Sequence, residues 1–329
     1  MLNRILIYNS GGGIGDAIQI LPLINSLKNE FKEAEFNYLC AHENHFNSSL
    51  KDLGSEIKTL DLNIKYFGFR WWHMLTTKSK FKKLNIQKFD LIIDLQTKIR
   101  NTLILKLIPH KFFLSACLNF KLSKPSHKIK KNKNIIKGLI VGINSLFKTN
   151  CKLIDFNIKK IESKFFIEAE RLLPKNNYVG FSITQGNIYR KKEWPLDKIV
   201  EICENLKTKN KTPVFFIEKK NIKLKEKISN LIPDALFPEH NTNLVSPALV
   251  TCLGQRLNCA ISIDNGIMHM LSLGKVPMIV LFGPTDSEKF APNYNGVISL
   301  DSKKLKNTTD ISAITAQDVL KALEQHLNF

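Results

Sequence analysis

No stretch of the chain approaches the roughly 20 consecutive apolar residues that a membrane-spanning helix needs. The opening apolar run ends at Asn9, too soon for the core of a secretory signal. Both absences lead to the expectation of a cytoplasmic protein. Paired cysteines are missing too. Cys40, Cys117, Cys151, Cys203, Cys252 and Cys259 stand apart, with no Cys-x-x-Cys and no Cys/His grouping at metal spacing. A structural zinc site has no support, and the thiols read as reduced, buried small hydrophobes. No internal repeat of solenoid length occurs.

The longest absence is of acids. From Leu95 to Ile154 there is not one Asp or Glu, against thirteen Lys and Arg, so this stretch holds over half of the formal net charge of +20. Biased composition alone can enrich lysine. Sixty residues without an acid nonetheless favour a surface that meets an anion: nucleic acid, an anionic membrane or a phosphorylated substrate. Nucleic acid fits worst, because aromatics do not interleave with the lysines as a base-stacking platform requires.

What is present fits two domains. A length of 329 residues suits two units of roughly 150 each, and 43% hydrophobic residues exclude general disorder. Arg4–Tyr8 reads as a strand, followed by a glycine loop and a helix over Gly15–Glu30. Glu35–Cys40, Leu91–Asp94 and Phe112–Ser115 read as further strands, the second of them buried on both faces. Lys121–Lys137 reads as a surface loop, Ile135–Phe147 as a short apolar segment and Ile158–Leu172 as helical. Pro174-Lys-Asn-Asn suits a linker. Beyond it the alternation restarts: strands at Tyr178–Ser182, Pro213–Ile217, Cys259–Ile263 and Met278–Phe282, and a helix over Pro195–Lys209 with proline in its first turn. A last helix spans Ala316–Leu327, capped by Thr315 with Asp318. The spacing therefore predicts an α/β protein of two doubly wound domains, 1–173 and 174–329, with a functional cleft between them.

Three motifs carry chemistry. Ser10-Gly11-Gly12-Gly13-Ile14-Gly15-Asp16 follows the first strand and opens a helix, where glycines let a ligand approach exposed amides. The spacing is not Gly-x-Gly-x-x-Gly and Cys40 rather than an acid ends the second strand, which disfavours a dinucleotide site. No Lys-Ser/Thr follows, so it is not an NTPase phosphate loop. Asp16 reads two ways, as a helix cap worth about 1 kcal/mol or as a catalyst. The second motif, Thr184-Gln185-Gly186 through Lys191-Lys192-Glu-Trp194-Pro195, sets two lysines just ahead of a helix. Cations beside helix amides suit a diphosphate; the plain alternative is a solvated basic loop. The third runs Asp264-Asn265-Gly266-Ile-Met-His269, then Gly274-Lys-Val-Pro277, then Phe282-Gly283-Pro284-Thr285. It places two loops at the carboxyl ends of adjacent strands, where open α/β sheets bind ligands. A histidine such as His269 also serves there as a buried structural residue.

Taken together, these segments resemble the heptosyltransferase family of bacterial lipopolysaccharide synthesis, which has the GT-B fold of two Rossmann-like domains. The family's strand–loop–Gly-Asp–helix with a Leu-Pro soon after is similar to Arg4–Pro22, including Gly15-Asp16. Its Asp-Leu-x-x-Asp-Leu-Gln resembles Asp90–Gln96, its Lys-x-Trp-Pro resembles Lys192–Pro195, and its Asp-Ser/Thr-Gly-x-x-His with a Phe-Gly-Pro-Thr loop resembles Asp264–Thr285.

The resemblance implies an inverting transferase that moves a heptose or related sugar from a nucleoside-diphosphate donor, ADP-heptose by preference, to a lipid-anchored, anionic lipopolysaccharide core acceptor. It implies Asp16 as general base. Lys192 would hold the donor phosphates, with Gln185, Gly186, Asp264, Asn265, Gly266, His269, Gly283 and Thr285 around the donor. Asn265 replaces the usual Ser or Thr. Glu218-Lys-Lys replaces the usual glycine-rich turn and leaves Glu218 to hold the ribose. Gly13, Lys124, Lys128, Lys130 and Lys131 are assigned to the acceptor or to the inner leaflet, where Ile135, Ile136, Leu139 and Ile140 would add apolar contact unless their segment packs into the core. The chain has no Asp-x-Asp, so leaving-group charge falls to lysine and helix amides; no metal or cofactor is expected, and no nucleic acid partner. The protein would stay cytoplasmic, peripheral on the inner membrane face. Two rival readings are an epimerase of the same fold and a basic nucleic-acid-binding protein.

Overall fold

The computed structural model describes residues 2–126, 134–185 and 191–327. Gly186, Lys128, Lys130 and Lys131 lie outside them. The chain divides into two units, Met1–Phe156 and Asn157–Phe329.

In the first unit, β1 (Arg4–Asn9), α1 (Ile14–Gln19), α2 (Leu21–Glu30), β2 (Glu35–Cys40), β3 (Lys58–Thr59), α3 (His73–Lys83), β4 (Phe89–Asp94), α4 (Ile99–Leu105), β5 (His110–Ser115) and α5 (Ile135–Phe147) follow in order. The strands form one parallel sheet, β3-β2-β1-β4-β5. Ile5–Tyr8 and Leu91–Ile93 are fully buried, as central parallel strands covered on both faces must be. The single helix expected over Gly15–Glu30 is two helices that meet at Ile20. Pro22 explains the break. Its ring would strike the carbonyl four residues earlier in a continuous helix, whereas in the first turn of α2 it is tolerated. α5 is capped by Asn134, whose side chain accepts from Lys137 N, and buries Leu139, Ile140 and Ile143. Phe147 at its end meets Phe112 and Phe31 edge-on. Leu139 and Ile140 are therefore core residues and give a membrane nothing.

The second unit contains α6 (Ser163–Leu172), β6 (Tyr178–Ser182), α7 (Leu196–Thr208), β7 (Thr212–Phe215), α8 (Ile222–Leu231), α9 (Pro247–Gly254), β8 (Leu257–Ile263), α10 (Gly266–Leu273), β9 (Met278–Phe282), α11 (Ser287–Phe290), β10 (Val297–Asp301), α12 (Ser302–Lys306) and α13 (Ala316–Leu327). Its sheet is also parallel, β10-β9-β8-β6-β7. The expected boundary at 173/174 moves to 156/157. The reason is packing: α6 buries Phe165 and Ala169 and packs on α9, while Arg256 Nε donates to Leu173 O at 3.0 Å. Thr315 caps α13 as expected, accepting from Asp318 N while Asp318 Oδ2 accepts from Thr315 N. Pro195 is the residue just before α7 rather than within its first turn. Among the described residues no helix is long and apolar enough to cross a membrane.

Candidate functional site

Each sheet reverses direction of strand order once, between β1 and β4 in the first unit and between β6 and β8 in the second. At such a point two loops leave the carboxyl edge on opposite sides and open a crevice. The first and third motifs sit on these two edges.

In the first unit the glycine loop is shaped by side chains it must admit. A Cβ on Gly11 would lie 2.6 Å from Asp16 Cβ, and one on Gly12 would lie 2.7 Å from the His42 ring. Asp16 stands in the first turn of α1, where Oδ2 accepts from Gly13 N at 3.2 Å; the other carboxylate oxygen accepts nothing among the described residues. The Asp90–Gln96 segment explains how the loop is held. Ser10 Oγ donates to Gln96 Oε1 at 2.6 Å, Gln96 Nε2 to Asn9 Oδ1 at 3.2 Å, and Gly11 N to the same Asn9 oxygen at 3.0 Å. Gln96 thus pins β1's exit to β4's exit. Asp94 is buried beneath it, accepting from Thr102 Oγ1, Ser115 Oγ and Gln96 N, and burial pushes its carboxyl up to about 6. His42 and His45, the latter with Nε2 3.2 Å from Gly12 O, escaped sequence reasoning, since lone histidines after a strand carry no spacing signal.

In the second unit the two lysines of the basic loop separate sharply. Lys191 is exposed with φ +45°. Lys192 is 8% exposed, and its ammonium donates to Asp264 Oδ2 at 2.5 Å and Asp264 O at 2.9 Å. Gln185 Oε1 accepts from Lys192 N at 2.9 Å and closes the loop. Trp194 is buried and donates through Nε1 to Ile314 O, so the Trp of Lys-x-Trp-Pro anchors the loop against the segment before α13. Asn265 caps α10, its Oδ1 accepting from Met268 N, while its amide nitrogen donates to Ser182 Oγ and Thr184 O. A Ser or Thr would cap as well but would lack that second tie to β6. Gly266 starts α10, and His269 is buried one turn on.

Gly283 is required by packing: a Cβ there would lie 2.9 Å from Ile311 N and from Thr309 O. Thr285 Oγ1 is buried with no hydrogen-bond partner among the described residues.

Glu218 is exposed and paired with Lys220. Lys124 is exposed beside β5, bridged through its backbone to Phe113. A different acid is buried after β7: Glu239, 5% exposed, with Oε2 unpartnered among the described residues. Burial, and then the Glu218 charge, push its carboxyl from 4.5 up to about 7. A raised folded-state value means the folded protein holds the proton more tightly. Its stabilising contribution is full below about pH 4.5 and is lost as pH rises through about 7. Glu239→Gln should therefore match the parent near pH 4 and exceed it by on the order of 3 kcal/mol at pH 8. Denaturant unfolding at both values checks this; a difference independent of pH would mean Glu239 is not buried as a titrating acid.

No curated protein matches the chain in sequence. Its fold is similar to that of a glycosyl transferase family 9 protein from Veillonella parvula DSM 2008, at 17% identity and TM-score 0.72, over 99% of this chain and 97% of that one. It is similar also to E. coli heptosyltransferase WaaC with ADP, at 16% identity and TM-score 0.67 over 99% and 100%. E. coli ADP-heptose lps heptosyltransferase II follows at 16% and 0.65, over 99% and 98%. Likenesses at this identity establish the fold. The family model described as glycosyltransferase family 9 (heptosyltransferase) matches residues 78–317, well over half of the chain, and so this protein belongs to that family and is a glycosyltransferase.

Proposed function

We propose that the protein transfers a heptose, or a closely related sugar, with inversion and without a metal, from a nucleoside-diphosphate donor to a lipid-anchored lipopolysaccharide core acceptor at the inner face of the cytoplasmic membrane. The observation that carries this reading is the buried Lys192 ammonium at the carboxyl end of β8, beside the amide-bearing start of α10. A cation and helix amides in a poorly hydrated crevice are what a departing diphosphate needs. ADP and an ADP-2-deoxy-2-fluoro heptose accompany the E. coli WaaC structures of the same fold, which supports an ADP-linked donor.

In the reaction, Asp16 takes the proton of the acceptor hydroxyl. The hydroxyl oxygen attacks the anomeric carbon opposite the leaving group, a new C–O bond forms, and the bond to the diphosphate breaks with inversion. Lys192 and the α10 amides take up the charge released on the nucleoside diphosphate. Asn265 orients these amides by capping the helix, and Thr285 offers a hydroxyl with no partner among the described residues. The missing Asp-x-Asp supports the metal-free reading.

Thermal melts with ADP, UDP and GDP test the donor. A ligand at a hundred times its Kd stabilises by about 2.7 kcal/mol, so ADP should raise the melting temperature most, and equally in EDTA. No shift with any of the three, or a shift that requires magnesium, would contradict the proposal. The epimerase reading keeps one supporting observation, a fold likeness to UDP-GlcNAc 2-epimerase from Methanocaldococcus jannaschii at TM-score 0.57. Turnover of donor alone, without acceptor, would favour it.

A further inference from the structure

We propose that the outward face of α3, with the turn that leads into it, is a docking surface for an anionic lipid bilayer. α3 buries His73, Thr77 and Phe81 along one side. In the turn that leads into α3, Trp71 is 54% exposed and Trp72 60%, and on the helix itself Leu75 is 82% exposed. Lys78, Lys82 and Lys83 are exposed further along the same helix. From Leu62 to Phe89 there are seven Lys and Arg and no acid.

Each observation limits what covers this face. An exposed Trp leaves a large apolar ring in water, at a cost that two adjacent copies double. A side chain four-fifths exposed projects beyond its neighbours, which suits entry into a soft apolar layer rather than a preformed pocket. Indole rings favour the boundary between hydrocarbon and headgroups, where lysines reach back to phosphates. The absence of acids matches the charge of an anionic leaflet, and each cation near such a surface is worth roughly a five-fold change in affinity. The N-terminus of α4 belongs to the same patch. Arg100 Nε donates to Gly68 O at 3.0 Å, and the neighbouring Lys98 and Ile99 are exposed.

The patch is joined to the Asp16 loop by packed rings. Gly12 lies against His42, and His42 meets Tyr66 at 5.2 Å and Phe69 at 5.8 Å, edge-on. The turn at Arg70–Trp72 follows directly. A bilayer engaged by α3 would hold a lipid-borne hydroxyl near the loop that bears Asp16. This purpose rests on the proposed acceptor; the binding itself does not.

The test uses the full chain with vesicles of phosphatidylcholine alone, or mixed with phosphatidylglycerol, some carrying bromine on the upper acyl chain. Trp194, the third tryptophan, is buried in the second unit, so bromine quenching reads Trp71 and Trp72. Sedimentation should require the anionic lipid and weaken with salt, and emission should be quenched. Trp71→Ser/Trp72→Ser/Leu75→Ser, and separately Lys78→Gln/Lys82→Gln/Lys83→Gln, should each lower affinity at least about tenfold, with the melting temperature and the nucleoside-diphosphate shift unchanged. The proposal is overturned by no binding to anionic vesicles, equal binding to neutral ones, absence of quenching, or parental binding by either triple variant. It is overturned equally if Lys121→Gln/Lys124→Gln abolishes binding while the α3 variants keep it. Loss of the nucleoside-diphosphate shift with vesicle binding intact would instead strike at the transferase reading alone.

Discussion

Asp16→Asn should lower turnover at least about a hundredfold while leaving fold and nucleoside-diphosphate affinity in place. The substitution separates the two roles that Asp16 can hold. Its Oδ2 accepts from Gly13 N, an interaction an amide oxygen reproduces, so Asn preserves the local turn and removes only the proton acceptor. Ala removes both, and should add a stability loss of about 1 kcal/mol. Single-turnover rates with donor and acceptor, beside thermal melts, distinguish the cases. If Asn turns over like the parent and only Ala melts lower, Asp16 caps α1 and the base lies elsewhere.

The second large effect concerns Lys192. Its ammonium and the Asp264 carboxylate are both buried and bonded to each other. Breaking such a pair from one side strands a charge in a medium that solvates it poorly, at about 3–5 kcal/mol. Lys192→Ala should thus lower the melting temperature by on the order of 10 °C and also weaken ADP binding. Adding Asp264→Asn should recover part of the stability, because the stranded charge is gone, but none of the ADP affinity. This double-mutant comparison separates support of the loop from contact with phosphate. Lys191→Ala, at an exposed site, should stay within about 0.5 kcal/mol of the parent. A Lys192→Ala protein with parental melting and parental ADP affinity would show that the loop has been read wrongly.

Sequence by itself determined the elements whose signal is local. β1, β6 and β9 declare themselves because central parallel strands are apolar on both faces and glycine or polar residues bound them. α13 was legible to the residue through Thr315 and Asp318, whose reciprocal bonds need no distant partner. Of the candidate site, the loops carrying Asp16, Lys192 and Asp264 were legible as motifs at strand ends, because the chemistry of glycine, proline and paired charges is written in adjacent positions.

Only the tertiary structure decided which members of those motifs are held and by what. Lys191 and Lys192 are alike in sequence, and what buries one of them is Asp264, seventy-two residues away. Gln96 fastens the glycine loop across a gap of eighty-six residues to Ser10. Leu139 and Ile140 looked available to lipid until β5 and its neighbours covered them, while the structure leaves Trp71, Trp72 and Leu75 uncovered. The physical reason is common to all of these. Periodicity and capping are set by neighbours along the chain, whereas burial and the pairing of charges depend on which distant surface arrives, and that is known only once the sheets have assembled.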